Sequence, residues 1–364
     1  MKFITSPNGY GKTTILNIIH ALYSKNWSYF LQLSFRNIRF TFDESILQII
    51  QHKESLQEEK SDEIEQRTCM EFIMTDLEGR PIEEYDHANK EDNNDPDTPL
   101  GNPLRLYSGI QPCYFIHDNR LYKQNISKLA DNTPEKQTAV IANAEDLKNK
   151  LANAKSRIAD MVTNLTFDKP ISQEEYQAAY KELKPFIDNL VKYGLIKTGI
   201  LAEYQENNAV YLRAIIQVIQ QIKTDFEPFI QKLQLFENII ARSEFSYKHI
   251  NIHINYGYRF VAENKEHTIL SLSTLSSGEQ HILIMMYEML FTAPEESLVL
   301  LDEPELSFHF LWQSNFLSYL RDIQQLRPRL QWVICTHSPQ IFGRKWELST
   351  DLFQLQTQQQ TNQE

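Results

Sequence analysis

The chain opens with a short apolar run, Phe3-Ile4-Thr5, passes through Ser6-Pro7-Asn8-Gly9-Tyr10-Gly11-Lys12-Thr13-Thr14, and continues into a stretch whose Ile15, Leu16, Ile18, Ile19, Leu22 and Tyr23 share one broad helical face. Strand, glycine loop and helix in direct succession leave few architectures open. The strand and the helix each need cover on their apolar faces, which an α/β sheet supplies. The glycines let successive backbone N–H groups converge at the start of the helix, where the helix dipole adds positive character.

Two further apolar runs end in polar residues, as buried parallel strands do at their carboxyl ends. Leu298-Val299-Leu300-Leu301 leads into Asp302-Glu303, and Val333-Ile334-Cys335 leads into Thr336-His337-Ser338. Between them a helical pattern falls near Leu311–Ile323, and another covers 279–291. A fourth run, Cys113-Tyr114-Phe115-Ile116, reads as a buried strand ending in the polar Asp118-Asn119-Arg120-Leu121. Phe35 to Phe42, Ile46–Ile50 and Met70–Met74 suit an antiparallel sheet with one wet face. Ile250, Ile252, Ile254, Tyr256, Tyr258 and Phe260 alternate with mostly polar neighbours and predict one long strand.

The middle of the chain differs. Ala144, Leu147, Leu151, Ala154, Ile158, Met161 and Leu165 follow a 3,4 spacing, the seam of a long amphipathic helix. Ser172 with Glu175 forms a capping box opening a second helix through Tyr176, Tyr180, Leu183, Ile187 and Leu190, kinked at Pro185. A third carries Leu212, Ile215, Ile219, Ile222, Phe226, Phe229, Leu233, Phe236 and Ile240. These helices read either as an antiparallel coiled-coil arm or as a bundle packed on the sheet domain. The expected division is 1–125 and 246–364 as two halves of one α/β domain, with 126–245 as a helical insertion. Asp76 to Asp97 reads as a solvated loop, and the C-terminal QLQTQQQTNQE as a disordered tail.

Composition removes several classes. No apolar run spans a bilayer, no secretory h-region follows the N-terminus, and the expected location is the cytoplasm. Three cysteines, Cys69, Cys113 and Cys335, are too scattered for a disulfide framework or a zinc pair. A net charge of −12 argues against coating nucleic acid, although Lys148, Lys150, Lys155 and Arg157 form a short basic cluster.

The chemistry-bearing residues follow from these placements. Backbone amides of the loop at Asn8, Gly9 and Gly11, with Thr14 at the helix start, form an anion nest. Lys12 reaches β- and γ-phosphates, and the Thr13 hydroxyl can ligate Mg²⁺. Asp302, at a strand end, suits the same ion, and Glu303 suits orienting an attacking water. Leu275-Ser276-Ser277-Gly278-Glu279-Gln280 is by itself an N-cap. A lone histidine at a strand end, as His337 is, is by itself more often structural than catalytic.

Taken in this order, the blocks resemble those of an ABC-type ATPase. SPNGYGKTT is similar to its Walker A loop, LSSGEQ to its signature motif, LVLLDEP to Walker B and THSP to the switch-histidine loop. The resemblance covers 1–50 and 245–345. Lys12 and Ser276 stand 264 positions apart with helical seams between them, which looks like the SMC/RecF/OLD branch, including the stand-alone ATPase subunits of Septu and retron-associated antiphage systems. The sequence departs from the pattern at Ser6, where a glycine is usual, at Asn119, where the Q-loop glutamine is expected, and at Phe310, where proline is common. Five residues precede the loop, ahead of which the family carries an adenine-stacking aromatic; either the start is truncated or the adenine is held differently.

The resemblance implies a mixed-sheet ABC-type head with an antiparallel β-subdomain, using ATP and Mg²⁺. Glu303 and His337 would be catalytic, and Thr13 and Asp302 would hold the metal. Ser276, Ser277, Gly278 and Glu279 would complete a partner's site in trans, with Asn119 in the Q-loop and Ser307 and His309 in the D-loop. It further implies a head-to-tail homodimer controlling a separately encoded effector, a nuclease of an antiphage system, with nucleic acid left open as the trigger. Two alternatives stay open: a non-hydrolysing scaffold that sequesters a toxic partner, and an SMC-like DNA-repair ATPase.

Overall fold

The computed structural model describes residues 1–57, 64–87, 112–124, 136–343 and 345–361. Its centre is a parallel five-stranded sheet built from β1 (Lys2–Thr5), β6 (Cys113–Ile116), β12 (Leu298–Asp302), β13 (Gln331–Thr336) and β14 (Ser349–Asp351), in the order β14-β1-β13-β12-β6. The apolar runs of the sequence become these strands because both faces are covered. The alternation along β12 divides them: Leu300 meets Leu16 and Cys335 beneath α1 (Lys12–Tyr23), while Val299 and Leu301 join the large core on the other face. That second face is covered by α6 (Ser277–Tyr287) and α7 (Phe310–Leu326). The sheet is the α/β core of a P-loop ATPase fold.

An antiparallel sheet of β2 (Asn37–Thr41), β3 (Ser45–Gln57), β4 (Ile64–Asp76) and β5 (Pro81–His87) packs Leu47, Ile49, Met70 and Phe72 against Ala21, Leu22 and Phe30 of α1 and α2 (Trp27–Gln32). The segment expected as a loop from Asp76 to Asp97 therefore begins as a hairpin, since Asp76 accepts the backbone N–H groups of Glu78 and Arg80 and turns the chain into β5. Residues 88–97 lie outside the described region. A small pair, β7 (Tyr122–Gln124) and β8 (Lys136–Thr138), leads into the helices.

Those helices are α3 (Ala139–Thr163), α4 (Gln173–Lys192) and α5 (Ala209–Arg242). The capping box at Ser172 and Glu175 forms in both directions. The helices do not share one environment. Leu147, Leu151, Ala154 and Ile158 of α3, the end of α4, and α5 from Ile222 onward belong to the central core. Ile171, Tyr176, Leu183, Leu212, Ile215 and Ile219 form a separate distal cluster.

The alternating stretch over 250–260 is a hairpin rather than one strand. β9 (Lys248–His253) and β10 (Gly257–Ala262) pair antiparallel, with β11 (Ile269–Leu270) at the edge. The turn closes at Gly257, whose φ of +71° favours glycine and whose Cβ would lie 1.9 Å from the Ala144 carbonyl oxygen. Of the polar tail expected to be disordered, Gln354 to Thr361 instead belong to α8 (Leu352–Thr361), because β14 just ahead of it pairs with β1 and the Asp351 carboxylate accepts the Phe353 N–H at 2.9 Å; residues 362–364 lie outside the described residues.

Candidate nucleotide site

The carboxyl ends of β1, β12 and β13 meet where a parallel sheet offers its ligand edge. Gly9 and Gly11 both take φ of +85°, and an added Cβ at either would meet nothing within 4 Å. These glycines are therefore demanded by backbone conformation, which opens the loop and aims Gly11 into the first turn of α1 as its N-cap. Asn8 and Gly9 lie at the exposed rim, and Thr13 and Thr14 follow in the first turn. Lys12 is buried, and its ammonium donates to the carbonyl oxygens of Ser6 at 3.0 Å and Pro7 at 3.3 Å. Ser6, in the usual glycine position, is buried and turns its hydroxyl onto the Pro7 carbonyl at 3.1 Å.

Asp302 ends β12 with 1% of its surface exposed. Burial raises its carboxyl above the ordinary value, opposed by a hydrogen bond with Thr13 and by the charge of Lys12. Its Oδ1 has no hydrogen-bond partner. A hydroxyl beside a buried carboxylate with one oxygen unspent fits a hard, oxygen-seeking cation such as Mg²⁺. Among the described residues no three His, Cys, Asp or Glu side chains form a metal cluster. Such an ion would then draw its remaining oxygens from nucleotide and water.

Glu303 stands at φ +42°. Two contacts hold this left-handed conformation: its N–H donates to the Cys335 carbonyl at 2.9 Å, and its own carbonyl accepts from Arg120 at 2.9 Å. The result brings its carboxylate to 3.7 Å from Nδ1 of His337. His337 is anchored by Glu305, whose Oε1 lies 3.2 Å from the same nitrogen. That oxygen also accepts from Thr336 Oγ1 at 2.6 Å, His337 N at 2.8 Å and Ser338 N at 3.2 Å.

The sequence gives neither Glu305 nor Arg120 a role of its own. Arg120 is buried, also donates to the Asp302 carbonyl at 3.2 Å, and is pulled down to about 10 by burial, so it stays charged at neutral pH. The only sequence signals were a third carboxylate after Asp302-Glu303 and an arginine just past a buried strand. Asn119, the expected Q-loop residue, is exposed, and its N–H donates to the Asp118 carboxylate at 2.8 Å.

The signature block sits elsewhere on the chain. Ser276 caps α6 and Glu279 returns to the Ser276 N–H at 2.9 Å, while Lys248 lies 2.8 Å from the Glu279 carboxylate. Glu279 is thus spent inside its own chain, and Ser276 and Ser277 are exposed. Gly278 is glycine because a Cβ there would lie 2.3 Å from the Ser307 carbonyl oxygen and 3.0 Å from the Trp312 ring. His309 caps α7, with Nδ1 accepting from Leu311 N at 3.4 Å. The described hydrogen bonds and ion pairs join Thr13, Asp302, Glu303 and His337, with Lys12 beside Asp302, into one site. None of them joins residues 276–279 to it.

A glycine loop at a helix start, a lysine beneath it, and carboxylates at the neighbouring strand ends define a P-loop ATPase head. The match to a family model is direct: residues 114–343 match the family described as "AAA domain, putative AbiEii toxin, Type IV TA system", and the chain belongs to that family. No curated protein matches. Solved structures similar to the chain include an Smc head bound to the C-terminal winged-helix domain of ScpA, at 11% identity over 93% of this chain and 82% of that one, with a TM-score of 0.36. Another is a Pyrococcus furiosus Smc head with an extended coiled coil bound to the C-terminal domain of ScpA, at 13% identity over 93% and 84%, also with a TM-score of 0.36. No helix among the described residues is long and apolar enough to cross a membrane.

Proposed function

We propose that this chain binds ATP with Mg²⁺ and hydrolyses it between two head-to-tail copies, and that this cycle governs a separately encoded effector. The observation that carries the reading is the convergence of Thr13, Asp302, Glu303 and His337 beside the buried Lys12. The amides of Asn8, Gly9 and Gly11 and the start of α1 at Thr14 receive phosphate oxygens. Lys12 exchanges the Ser6 and Pro7 carbonyls for β- and γ-phosphate oxygens, a trade of neutral for charged acceptors. Thr13 and Asp302 would hold Mg²⁺, which supplies neutralisation of phosphate charge.

Glu303 orients and polarises the attacking water, and its fixed backbone means that no reorganisation is needed at the moment of reaction. His337 takes up the facing position, held by Glu305. Ser276, Ser277 and Gly278 serve the partner copy's γ-phosphate through the start of α6, with Glu279 restricted to capping that helix. Ser307 and His309, at the adjoining α7 start, carry the state of one site to the other. The exposed Asn119 reaches toward nucleotide only on closure.

An effector is favoured by the site itself, which accounts for ATP and Mg²⁺ and leaves no second catalytic group among the described residues. The family's name links it to a toxin and a type IV toxin–antitoxin system, which suits an ATPase restraining a harmful partner. A nuclease of an antiphage system is the effector we favour. The test is binding and turnover together: Lys12→Ala abolishes ATP binding, whereas Glu303→Gln keeps binding, lowers turnover at least 100-fold and accumulates an ATP-dependent dimer in sedimentation. A Glu303→Gln variant that turns over like the parent removes the catalytic assignment.

A further inference from the structure

The phosphate loop carries an aromatic side chain, Tyr10, between its two left-handed glycines, and it is paired across space with the C-terminal helix. The ring of Phe353 lies 5.5 Å from that of Tyr10, centroid to centroid, at 83°. The pairing is built rather than incidental. Thr5, the last residue of β1, is in register with Asp351, the last residue of β14, so the chain leaving β14 starts level with the chain entering the loop. Thr5 Oγ1 donates to the Thr350 carbonyl at 3.4 Å, and Asp351 fixes the first turn of α8 through the Phe353 N–H. Yet Phe353 remains 45% exposed, and in an edge-to-face pair at least one ring keeps both faces clear of the other.

The half-buried Tyr10, one residue from the glycines that would hold phosphates, and the exposed Phe353 set against it suit the other end of a nucleotide. Bases stack on such rings because every base has a π-face, and an exposed apolar ring at a phosphate site otherwise leaves its surface in water. We infer that Tyr10 and Phe353 form the base-stacking platform of the site, so that the C-terminal helix α8 supplies the wall for the adenine. This rests on the phosphate-loop reading and adds to it a part of the ligand that the loop cannot recognise.

The experiment compares ATP with inorganic triphosphate, each with Mg²⁺, by titration calorimetry on the full chain. Phe353→Leu, which keeps apolar bulk against Tyr10 but removes the ring, weakens ATP roughly tenfold and leaves triphosphate unchanged. Phe353→Trp retains ATP affinity, and ATP, but not triphosphate, quenches fluorescence beyond the change seen in the parent. Loss of both ligands in Phe353→Leu, or of neither, overturns the stacking platform. Lys12→Ala run alongside lowers both probes; if it lowers neither, it is the phosphate-loop reading that fails, and the platform falls with it.

Discussion

Glu305→Gln isolates what a buried carboxylate contributes to the switch-histidine loop. The side chain is 5% exposed, and one of its oxygens receives the Thr336 hydroxyl and the backbone N–H groups of His337 and Ser338. The amide keeps shape and an acceptor but removes the charge. Hydrogen bonds to charged groups contribute about 1.5–3 kcal/mol and neutral ones about 0.5–1.5, so each of the three loses about 1 kcal/mol. The sum is about 3 kcal/mol. Unfolding entropy scales with length, and for a chain of 364 residues that loss corresponds to roughly 4 °C in melting temperature. Function is hit harder than stability, because the same bonds set where His337 faces Glu303. Turnover falls roughly 10- to 100-fold, the scale of a small misplacement of a catalytic group, with ATP affinity nearly unchanged. Differential scanning calorimetry and steady-state phosphate release read the two effects separately. A variant that melts about 4 °C lower but turns over normally would make Glu305 a purely structural residue, and one identical to the parent in both would refute the network.

His281 is buried and is pushed down to about 4 by burial and by the charge of Arg120, so the native state favours its neutral form. Its contribution is present in full above pH 6.5, where the unfolded chain also leaves it neutral, and is lost as the pH falls through about 4, a change of about 3 kcal/mol; urea titrations of His281→Gln should show a flatter pH dependence across that window. Gly257→Ala should destabilise by about 2–4 kcal/mol through a left-handed φ and the Ala144 carbonyl, and an unchanged urea midpoint would contradict the hairpin's seat on α3. Leu212→Asp should raise hydrogen exchange only in the distal cluster, while Leu151→Asp unfolds the chain globally; equal, local effects would place Leu151 outside the central core.

What was legible in the sequence is what local rules govern. The glycine loop, the capping box at Ser172, the N-cap at Ser276 and the buried parallel strands each follow from neighbours within a few residues. The hairpin at β9 and β10 was hidden because a period of two continues through its turn: Ile254 and Tyr256 keep the alternation, and only Asn255-Tyr256-Gly257 marks the reversal. Helix α8 was hidden for the opposite reason. Its glutamines carry no apolar pattern, and its order comes from strand pairing to β1 and from Asp351. The roles of Arg120 and Glu305 were hidden because they serve partners fixed by the fold: Arg120 holds a carbonyl 183 positions away, and Glu305 holds amides 32 and 33 positions on. Such long-range service to the backbone leaves no spacing to read.

Helix α5 has a mechanical consequence. It runs 34 residues without a break, a rod of about 51 Å, with its first turns in the distal cluster and its last at the head. At the head end the Ser243 carbonyl accepts the Trp312 indole N–H at 2.6 Å, and Arg242 grips Asp322. The same indole ring lies 3.0 Å from where a Cβ on Gly278 would stand, beside the closer Ser307 carbonyl. A helix is stiff along its axis, so a load applied at the far tip travels with little loss. It arrives at the tryptophan wedged against the start of α6. Pro228, which removes one hydrogen bond partway along, is the point at which such a rod bends first.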